Sequence, residues 1–277
     1  MPELPEVESL RRILARSAVG RTIVRARIGD KSLRRRVPID FSSNVAGRKI
    51  TRLSRRAKYL IVELDGDDVL LVHLGMSGSL THRRDGFRAG DFDPRHDHLE
   101  FSLDDGSRLV YNDPRRFGMV RLVARTALAS TAELKGIGPE PLSRKFNAGF
   151  LASKARGRRG AIKNLIMDQR IVAGIGNIYA AEILFLAGVR PTRRAGRVTR
   201  AEIEKIAAAV PLILRAAIGR SGTTFRSYRD SRGQPGRFAE RLRVYGREAK
   251  PCYTCSTPIR NVIVGGRASF YCPKCQR

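Results

Sequence analysis

The stretch CYTC at residues 252–255, followed after 16 residues by CPKC at 272–275, decides how the C-terminal end of the chain folds. These two C-x2-C pairs contain all four cysteines of the 277-residue sequence. Structural zinc takes four soft ligands in a tetrahedron, and each C-x2-C turn presents two thiolates together. Two disulfides or a redox C-x-x-C are the alternatives, but disulfides are rare in cytosolic proteins and a redox pair needs no duplicate. The spacing therefore predicts one structural Zn²⁺ bound by Cys252, Cys255, Cys272 and Cys275.

The region before the cysteines has helical periodicity, from about residue 132 to 220. We expect helices at 147–155, 161–169, 177–187 and 199–219, since apolar residues recur there at helical spacing. Residues 221–237 are rich in Gly, Ser, Thr and Arg, which predicts a long loop, and such loops in compact domains are usually functional or disordered. Gly265-Gly266 is the predicted turn of a hairpin in the cysteine-rich tail.

The first part of the chain begins with one helix and continues with strands. One buried helix face is predicted for residues at three-to-four spacing, namely Leu4, Val7, Leu10, Ile13 or Leu14, and Ala18. Between about 21 and 125 the pattern changes to short strands such as 59–64 and 69–74, with Asp65-Gly66 and Asp105-Gly106 as hairpin turns. Many short strands with one helix predict a β-sandwich.

The expected fold class is therefore α+β, and three composition regimes divide the chain. The length is sufficient for more than one domain with its own core. We expect an N-terminal β-sandwich domain at 1–131, a helical domain at 132–237 and a four-cysteine tail at 238–277.

The charge balance favours a polyanionic partner. Lys and Arg total 54 against 26 acidic residues, a formal net charge of +28. Each phosphate neutralised by Lys or Arg releases condensed counterions, so this excess favours nucleic acid. An arginine-rich proteome or a membrane surface are the alternatives, but no basic amphipathic helix is set apart from the rest. No apolar run approaches the ~20 residues that cross a bilayer, and the N-terminus lacks the layout of a secretory signal. We therefore expect a cytosolic protein without a membrane partner.

Several motifs, spread in order along the chain, carry a family resemblance. They are MPELPEVE at 1–8, RAKYL at 56–60, HLGMSG at 73–78, RHDH at 95–98, NDPRRFG at 112–118, AGIGNIY at 173–179, VYGRE at 244–248 and the four-cysteine tail. Together they resemble the bacterial formamidopyrimidine-DNA glycosylases, which repair 8-oxoguanine. The resemblance implies a β-sandwich with a nucleophile-bearing helix, a helix–two-turn–helix domain and a β-hairpin zinc finger. It also implies an enzyme that removes oxidised purines from double-stranded DNA and cuts the strand by β,δ-elimination, and we expect it to be a monomer.

The N-terminus supplies the expected nucleophile. Base excision requires attack at the sugar C1′, and an imine there acidifies the C2′ proton, so an amine serves both steps. An α-amino group titrates at about 7.7–8.0 and Lys at about 10.4, so the terminus is more often unprotonated near neutral pH. By composition alone Pro2 merely precedes a helix, but the resemblance implies that removal of Met1 exposes it as the nucleophile. The resemblance further implies that Glu3 is the general acid, that Lys58 binds phosphate and assists β-elimination, and that Arg267 assists δ-elimination.

The same resemblance assigns DNA contacts. Rotating a base out of the stack leaves a gap, which apolar or planar side chains can fill. Met76 and Phe117 match the intercalating positions, and Arg115 is expected to offer donors to the orphaned partner base. Arg116 is a predicted phosphate clamp. Three further residues match positions that contact DNA: His96, Arg159 and Asn177. Gly174-x-Gly176 opens the helix at Asn177, so its backbone N–H groups are expected to hold a phosphate.

The segment 221–237 resembles the lesion-recognition loop of the family. Phe225 and Ser227 stand where leucine and aspartate are common, which affects how tightly the loop reads 8-oxoguanine. Thr223 and Thr224 are expected to offer backbone donors to the base.

Two other functions remain open. An endonuclease VIII-like enzyme for oxidised pyrimidines would have the same fold, although its members usually open with Pro-Glu-Gly-Pro and this chain has Leu4 after Glu3. A non-catalytic protein that binds damaged DNA would have the same zinc tail and positive charge, but the presence of Pro2 and Glu3 argues against it.

Overall fold

The computed structural model describes residues 2–87, 92–224 and 229–277. It contains two compact units, one formed by Met1–Lys135 with Ile218–Ala239 and the other by Gly136–Ala217 with Glu240–Arg277. Phe225 and Ser227 lie outside the described residues. The three-domain division at 131 and 237 stays a prediction. The sequence interpretation places 221–237 with the helices, whereas the structure groups the described part of this segment with the N-terminal unit.

Within the described residues, the first unit contains two four-stranded antiparallel sheets. The first sheet has the order β1-β6-β7-β5 and the second has the order β2-β3-β4-β8. The strands are β1 (Ile23–Ile28), β2 (Ile50–Arg56), β3 (Tyr59–Leu64), β4 (Asp68–His73), β5 (Ser79–Arg83), β6 (Asp97–Leu103), β7 (Arg108–Asn112) and β8 (Met119–Ala124). The predicted hairpin turns are present, because Gly66 and Gly106 have φ of +76° and +77° between paired strands.

The core of this unit lies between the sheets and helix α1 (Leu4–Ser17). Val7, Leu10 and Leu14 join strand residues from both sheets in one buried cluster, and each such side chain stabilises the fold by about 1.5–3 kcal/mol. The predicted helix face is thereby confirmed. A five-residue helix, α2 (Phe41–Val45), is absent from the sequence interpretation, because so short an element has no measurable period.

The second unit is helical and ends in a two-stranded hairpin. Its helices are α3 (Ala148–Ala155), α4 (Ile162–Met167), α5 (Asn177–Leu186) and α6 (Arg200–Gly219), where α6 extends into the residues grouped with the first unit. The hairpin consists of β9 (Arg260–Val264) and β10 (Arg267–Tyr271), joined at Gly265-Gly266 as predicted. The predicted fold class is confirmed. Among the described residues, no helix has the length and apolar character needed to cross a membrane.

Candidate active site and nucleic-acid interface

The N-terminal end of α1 is buried. Pro2 is buried and Glu3 is only 2% exposed, at the residue that precedes the first helical turn. The Glu3 N–H donates to Glu6 Oε2 at 2.8 Å, so the helix begins with a hydrogen bond to its own side chain. Chain ends are usually poorly ordered unless they are tied down, and here the bond from Glu3 to Glu6 holds the end of the chain.

Glu6 also holds the start of the 221–237 segment. The Thr223 N–H donates to Glu6 Oε1 at 2.7 Å. Gly222 has φ of +80°, and a β-carbon there would lie 2.6 Å from Glu6 Oε1, so only glycine fits. One buried carboxylate therefore connects Glu3 with this segment. Gly222 is a residue of this site that sequence reasoning missed.

The predicted backbone donors of the segment are already engaged. The Thr223 N–H is bound by Glu6, and the Thr224 N–H donates to Gly236 O at 3.4 Å. The expectation that both offer these groups to a base is therefore wrong for this conformation, because the stem of the segment satisfies its own backbone.

Lys58 lies in the turn between β2 and β3 and is buried. Ala57 before it has φ of +52°, an uncommon conformation for a residue with a side chain. Arg55 stabilises this turn by donating to Ala57 O at 2.8 Å and connects it to α1 through Glu8 Oε2 at 3.3 Å. The structure thus places Pro2, Glu3 and Lys58 in one unit, on elements that contact each other.

The Glu8 carboxylate remains charged in this arrangement. Burial raises its pKa, but hydrogen bonds from Arg11 and Arg12 and the charges of Arg11 and Arg55 lower the pKa to about 2. A permanent negative charge therefore holds Arg55, and with it the turn that carries Lys58.

His73 is a residue that sequence reasoning left without a role. Burial, with the nearby positive charges of Lys58 and Arg34, lowers its pKa to about 4. Its Nδ1 accepts the Gly75 N–H at 3.1 Å, so the neutral ring carries its proton on Nε2. The ring packs on Tyr59 at a centroid distance of 4.7 Å. The available signal was its position in HLGMSG, at the end of a strand and before a glycine loop.

Two exposed apolar side chains project from loops that are joined to each other. Met76 is 41% exposed and Phe117 is 47% exposed. A β-carbon on Gly75 would lie 2.5 Å from Gly118 N, so the two loops touch backbone to backbone. Exposed apolar groups on a rigid support suit insertion between bases.

Asp113 organises these loops from a fully buried position. Its Oδ1 accepts the Ser77 hydroxyl at 2.5 Å and the Arg115 N–H at 3.2 Å, while Oδ2 accepts the Gly118 N–H at 2.8 Å. Its own N–H donates to His96 O at 3.0 Å. Sequence reasoning quoted the NDPRRFG motif but missed this role, because the partner hydroxyl lies 36 residues away.

The arginines of the same loop are placed around this carboxylate. The Arg115 guanidinium carbon lies 4.7 Å from the Phe117 ring centroid, a cation–π contact. Arg116 has φ of +56°, and its N–H donates to Asp113 O at 3.1 Å. The structure therefore brings together Met76, Phe117, Arg115, Arg116 and the backbone of His96.

The second unit contains the remaining predicted residues. Asn177 begins α5, and its Nδ2 donates to Ala268 O at 3.0 Å, next to exposed Arg267 at the start of β10. The buried Lys163 Nζ donates to the same carbonyl at 3.1 Å. Arg159 is exposed in the connection between α3 and α4. The helix start and the hairpin therefore meet at Ala268.

One predicted phosphate donor near Asn177 is already bound. The Gly174 N–H donates to Gln169 Oε1 at 2.8 Å. Gln169 Nε2 in turn donates to Ile175 O at 2.7 Å, so this side chain stabilises the glycine turn before α5. The expectation that the Gly174 N–H holds a phosphate is wrong in this conformation.

The four cysteine sulfurs form one cluster, with all ligand atoms within 4.8 Å of one another. Cys252 Sγ and Cys275 Sγ are 3.9 Å apart, and Cys255 Sγ lies 3.4 Å from Cys272 Sγ and from Cys275 Sγ. A tetrahedral zinc site with Zn–S bonds of about 2.3 Å requires sulfurs about 3.8 Å apart. The four thiols fit one structural Zn²⁺, which would fix the fold of the tail, and the predicted cofactor is confirmed.

Comparison with known proteins agrees with this architecture. Three family models match in order: the formamidopyrimidine-DNA glycosylase N-terminal domain at 1–120, the H2TH domain of the same enzymes at 137–229, and a zinc finger found in FPG and IleRS at 249–277. The fold and site therefore define a zinc-finger protein of the DNA-glycosylase class.

Full-length relatives specify the family. The formamidopyrimidine-DNA glycosylases of Cereibacter sphaeroides and Halorhodospira halophila are 43% and 45% identical, with 100% of each chain covered. A Lactococcus lactis FPG mutant in complex with DNA containing Fapy-dG matches with a TM-score of 0.90 at 32% identity over 100% of both chains. The MutM (FPG) protein of Thermus thermophilus matches with a TM-score of 0.87 at 35% identity over 99% and 98% of the two chains. The chain belongs to the formamidopyrimidine-DNA glycosylase family.

Proposed function

We propose that this protein removes oxidised purines, such as 8-oxoguanine and formamidopyrimidines, from duplex DNA and cleaves the strand, with Pro2 as the nucleophile. As a member of its family it is a DNA glycosylase of base excision repair, and AP lyase activity is characteristic of that family. The observation that carries the proposal is the burial of Pro2 and Glu3 at the start of α1, where Glu6 holds the Glu3 N–H at 2.8 Å.

The first step is excision of the base. The Pro2 nitrogen forms a bond to C1′, the glycosidic bond breaks, and the base leaves with the bonding electrons and takes up a proton. The C1′–O4′ bond opens as O4′ accepts a proton from Glu3, which leaves an iminium between Pro2 and C1′. A secondary amine suits this step because its imine is necessarily charged.

The second step is cleavage of the strand. The iminium acidifies the C2′ proton, and loss of that proton with departure of the 3′-phosphate is β-elimination. Loss of the C4′ proton with departure of the 5′-phosphate is δ-elimination. Lys58 is the proposed phosphate ligand and proton-transfer group of β-elimination, and Arg267 is proposed to bind the phosphate that leaves in δ-elimination.

The Met76 and Phe117 loops are proposed to fill the gap that the extruded nucleotide leaves. Their exposed side chains, and the support that Asp113 gives both loops, favour this role. Arg115 is proposed to bind the orphaned partner base, since its guanidinium lies beside the Phe117 ring. Four residues are proposed to bind the DNA backbone: His96, Arg116, Arg159 and Asn177.

The proposed partner is damaged double-stranded DNA, bound by one copy of the chain in the cytoplasm. The net charge of +28 supports a polyanionic ligand. Lactococcus lactis FPG has been crystallised with DNA containing Fapy-dG and with DNA containing an abasic site. Binding to undamaged duplex should weaken steeply with salt, because released counterions drive it.

Covalent trapping tests the nucleophile. With borohydride present, the protein should form a stable adduct with an 8-oxoguanine:C duplex, since reduction converts the iminium to an amine. Pro2→Gly should lose excision by at least about a hundredfold and should still bind the duplex. Pro38→Gly is the matched control, in a loop of the same unit, and should keep full activity. Normal excision by Pro2→Gly would show that the proline ring is not required, and normal excision by protein that retains Met1 would exclude the terminal amine as the nucleophile. A wild-type protein that binds but never forms an adduct would be a non-catalytic binder.

An oxidised-pyrimidine specificity is the second candidate. It is favoured by the complex of Lactococcus lactis FPG with DNA containing an oxidised pyrimidine. Excision from 8-oxoguanine:C and thymine-glycol duplexes under the same single-turnover conditions separates the two. We expect the purine lesion to react faster, and the reverse order would assign the protein to the pyrimidine-specific group.

A further inference from the structure

A partly buried cluster at the end of β5 has no part in the chemistry described above. Arg83 forms a two-point ion pair with Asp97, at 2.7 and 3.0 Å, and its Nε donates to Thr81 Oγ1 at 3.0 Å. The guanidinium carbon lies 5.4 Å from the ring centroid of Phe87 and 5.8 Å from that of Phe92. These two rings are stacked, with centroids 6.4 Å apart. We call Arg83, Asp97, Phe87 and Phe92 the Arg83 cluster.

The Arg83 cluster contacts the C-terminal part of the 221–237 segment. A β-carbon on Gly233 would lie 3.6 Å from Phe87 Cζ and 3.7 Å from Phe92 Cε2, which is van der Waals distance. One residue before Arg83, the His82 N–H donates to Ser231 O at 2.8 Å. Residues 231–233 therefore pack on the two rings and are held by the backbone of β5.

This part of the segment is a tight turn around the buried Asp230. The Asp230 N–H donates to Gln234 O at 2.8 Å. Asp230 Oδ1 accepts the backbone N–H groups of Arg232 and Gln234 at 2.9 and 3.0 Å. The backbone of this turn is bound by Asp230 and Gln234 within the turn and by His82 from β5, so its position depends on the surface against which it packs.

The charged and aromatic members of the cluster fix each other. Asp97 Oδ1 also accepts Asn112 Nδ2 at 2.7 Å, and the same Nδ2 donates to Asp93 O at 2.9 Å, which joins the cluster to β7. A buried guanidinium with both a carboxylate and two aromatic faces has little rotamer freedom. These contacts fix the position of Arg83 against both rings in the surface that Gly233 meets.

We propose that the Arg83 cluster is a positioning element that sets the place of the lesion-recognition segment and thereby the rate of base excision. The inference rests on the proposed function, since it gives that segment a second support besides the Glu6 contact with Thr223. Recognition of the base matters for excision only, because a preformed abasic site has no base to read. Loss of the cluster should therefore slow base excision and leave strand cleavage at a preformed abasic site nearly unchanged.

The test compares the two reactions in the double variant Phe87→Ala, Phe92→Ala. Single-turnover excision from 8-oxoguanine:C should fall at least about tenfold, because misplacement by about 1 Å can cost about a hundredfold in rate. Strand cleavage at a preformed abasic site should stay within about twofold of wild type. The conservative variant with leucine at both positions should recover part of the excision rate, since it restores apolar packing.

Phe150→Ala is the matched control. Its ring also has a cation–π partner, Lys154 at 5.6 Å, but it lies on α3 in the second unit. This variant should keep both rates. Equal losses of excision and cleavage in the double variant would mean that the cluster only stabilises the fold, and unchanged excision would mean that it does not position the segment; either result overturns the inference.

The wild-type arm separates this inference from the proposed function. If the wild-type protein releases no 8-oxoguanine, the proposed substrate is wrong. The excision rates of the double variant and of the wild type are then compared on a thymine-glycol duplex. If the double variant loses excision of thymine glycol and abasic-site cleavage by the same factor, the inference is overturned. If it loses excision selectively, the inference is supported.

Discussion

The two units hold their candidate DNA-facing groups in different ways. In the first unit, buried carboxylates fix the loops, as Asp113 does for the Met76 and Phe117 loops, above a described core of 25 buried residues. In the second unit, the described cluster around the tail has six buried residues, and two of these are cysteines. A core of this size supplies little hydrophobic stabilisation. The loops of the first unit therefore depend on hydrogen bonds to buried carboxylates beside a large core, whereas the cysteine tail of the second unit depends on the metal.

Removal of zinc should have the largest effect. Zinc binding to such a site is worth on the order of 10 kcal/mol and is coupled to folding. Cys272→Ser should lose zinc, unfold the tail and lower affinity for duplex DNA at least about tenfold, while the β-sheet signal of the first unit remains. Zinc content, circular dichroism and binding titrations measure this.

Thr254→Ala is the control for that experiment. Thr254 lies between two ligand cysteines and is exposed, so its loss should leave zinc content and affinity unchanged. Unchanged affinity in Cys272→Ser would show that the tail contributes nothing to binding, and the contrast between the units would be wrong.

Loss of the Asp113 carboxylate should have the next largest effect, confined to the first unit. Asp113→Ala leaves the Ser77 hydroxyl and the Gly118 N–H without this acceptor, whereas the Arg115 N–H keeps Ser77 Oγ at 3.2 Å. Each buried donor left without a partner costs about 1–3 kcal/mol, so we expect about 3 kcal/mol less stability and slower excision. Denaturant unfolding and single-turnover rates measure these effects.

The control for this variant is the exposed carboxylate of Asp30. Asp30→Ala should change neither stability nor excision. Zinc content should be the same in both variants. Loss of zinc from Asp113→Ala would show that the two units do not respond independently.

Acidification should have the smallest effect on the free energy of unfolding, and it tests the contribution of His73 in the first unit. The pKa of His73 is about 4 in the folded chain, against an ordinary value of 6.5, mainly because burial disfavours the cation. As the pH falls, the unfolded chain therefore binds a proton at His73 before the folded chain does. The contribution of neutral His73 to the free energy of unfolding is full above pH 6.5 and is lost as pH falls toward 4. His73→Gln should flatten the decline in unfolding free energy between about pH 6.5 and pH 4.

Tyr59→Phe is the control for the pH experiment. It keeps the ring that packs on His73 and should keep the decline. If the unfolding free energy of His73→Gln declines on acidification as much as that of the wild type, groups other than His73 cause the decline.

Short-range features of this protein could be predicted from the sequence. The C-x2-C spacing identified the zinc ligands, because four sulfurs in two tight turns satisfy the metal regardless of the rest of the fold. The apolar spacing of α1 gave its buried face, and Gly66 and Gly106 marked hairpin turns. Each of these signals lies within a few residues, where periodicity and turn chemistry act.

Contacts between distant parts of the chain were decided only by the tertiary structure. Glu6 meets Thr223 across 217 residues and Asp113 meets Ser77 across 36. The packing of Gly233 on Phe87 and Phe92 is equally invisible in the sequence, since Gly233 lies far from both rings along the chain. The sequence by itself determined the metal ligands and most of the helices and strands, and it predicted the reactive groups. The folded chain determined which groups hold them in place, because a buried carboxylate selects its donors by proximity in space, and proximity depends on the path of the whole chain.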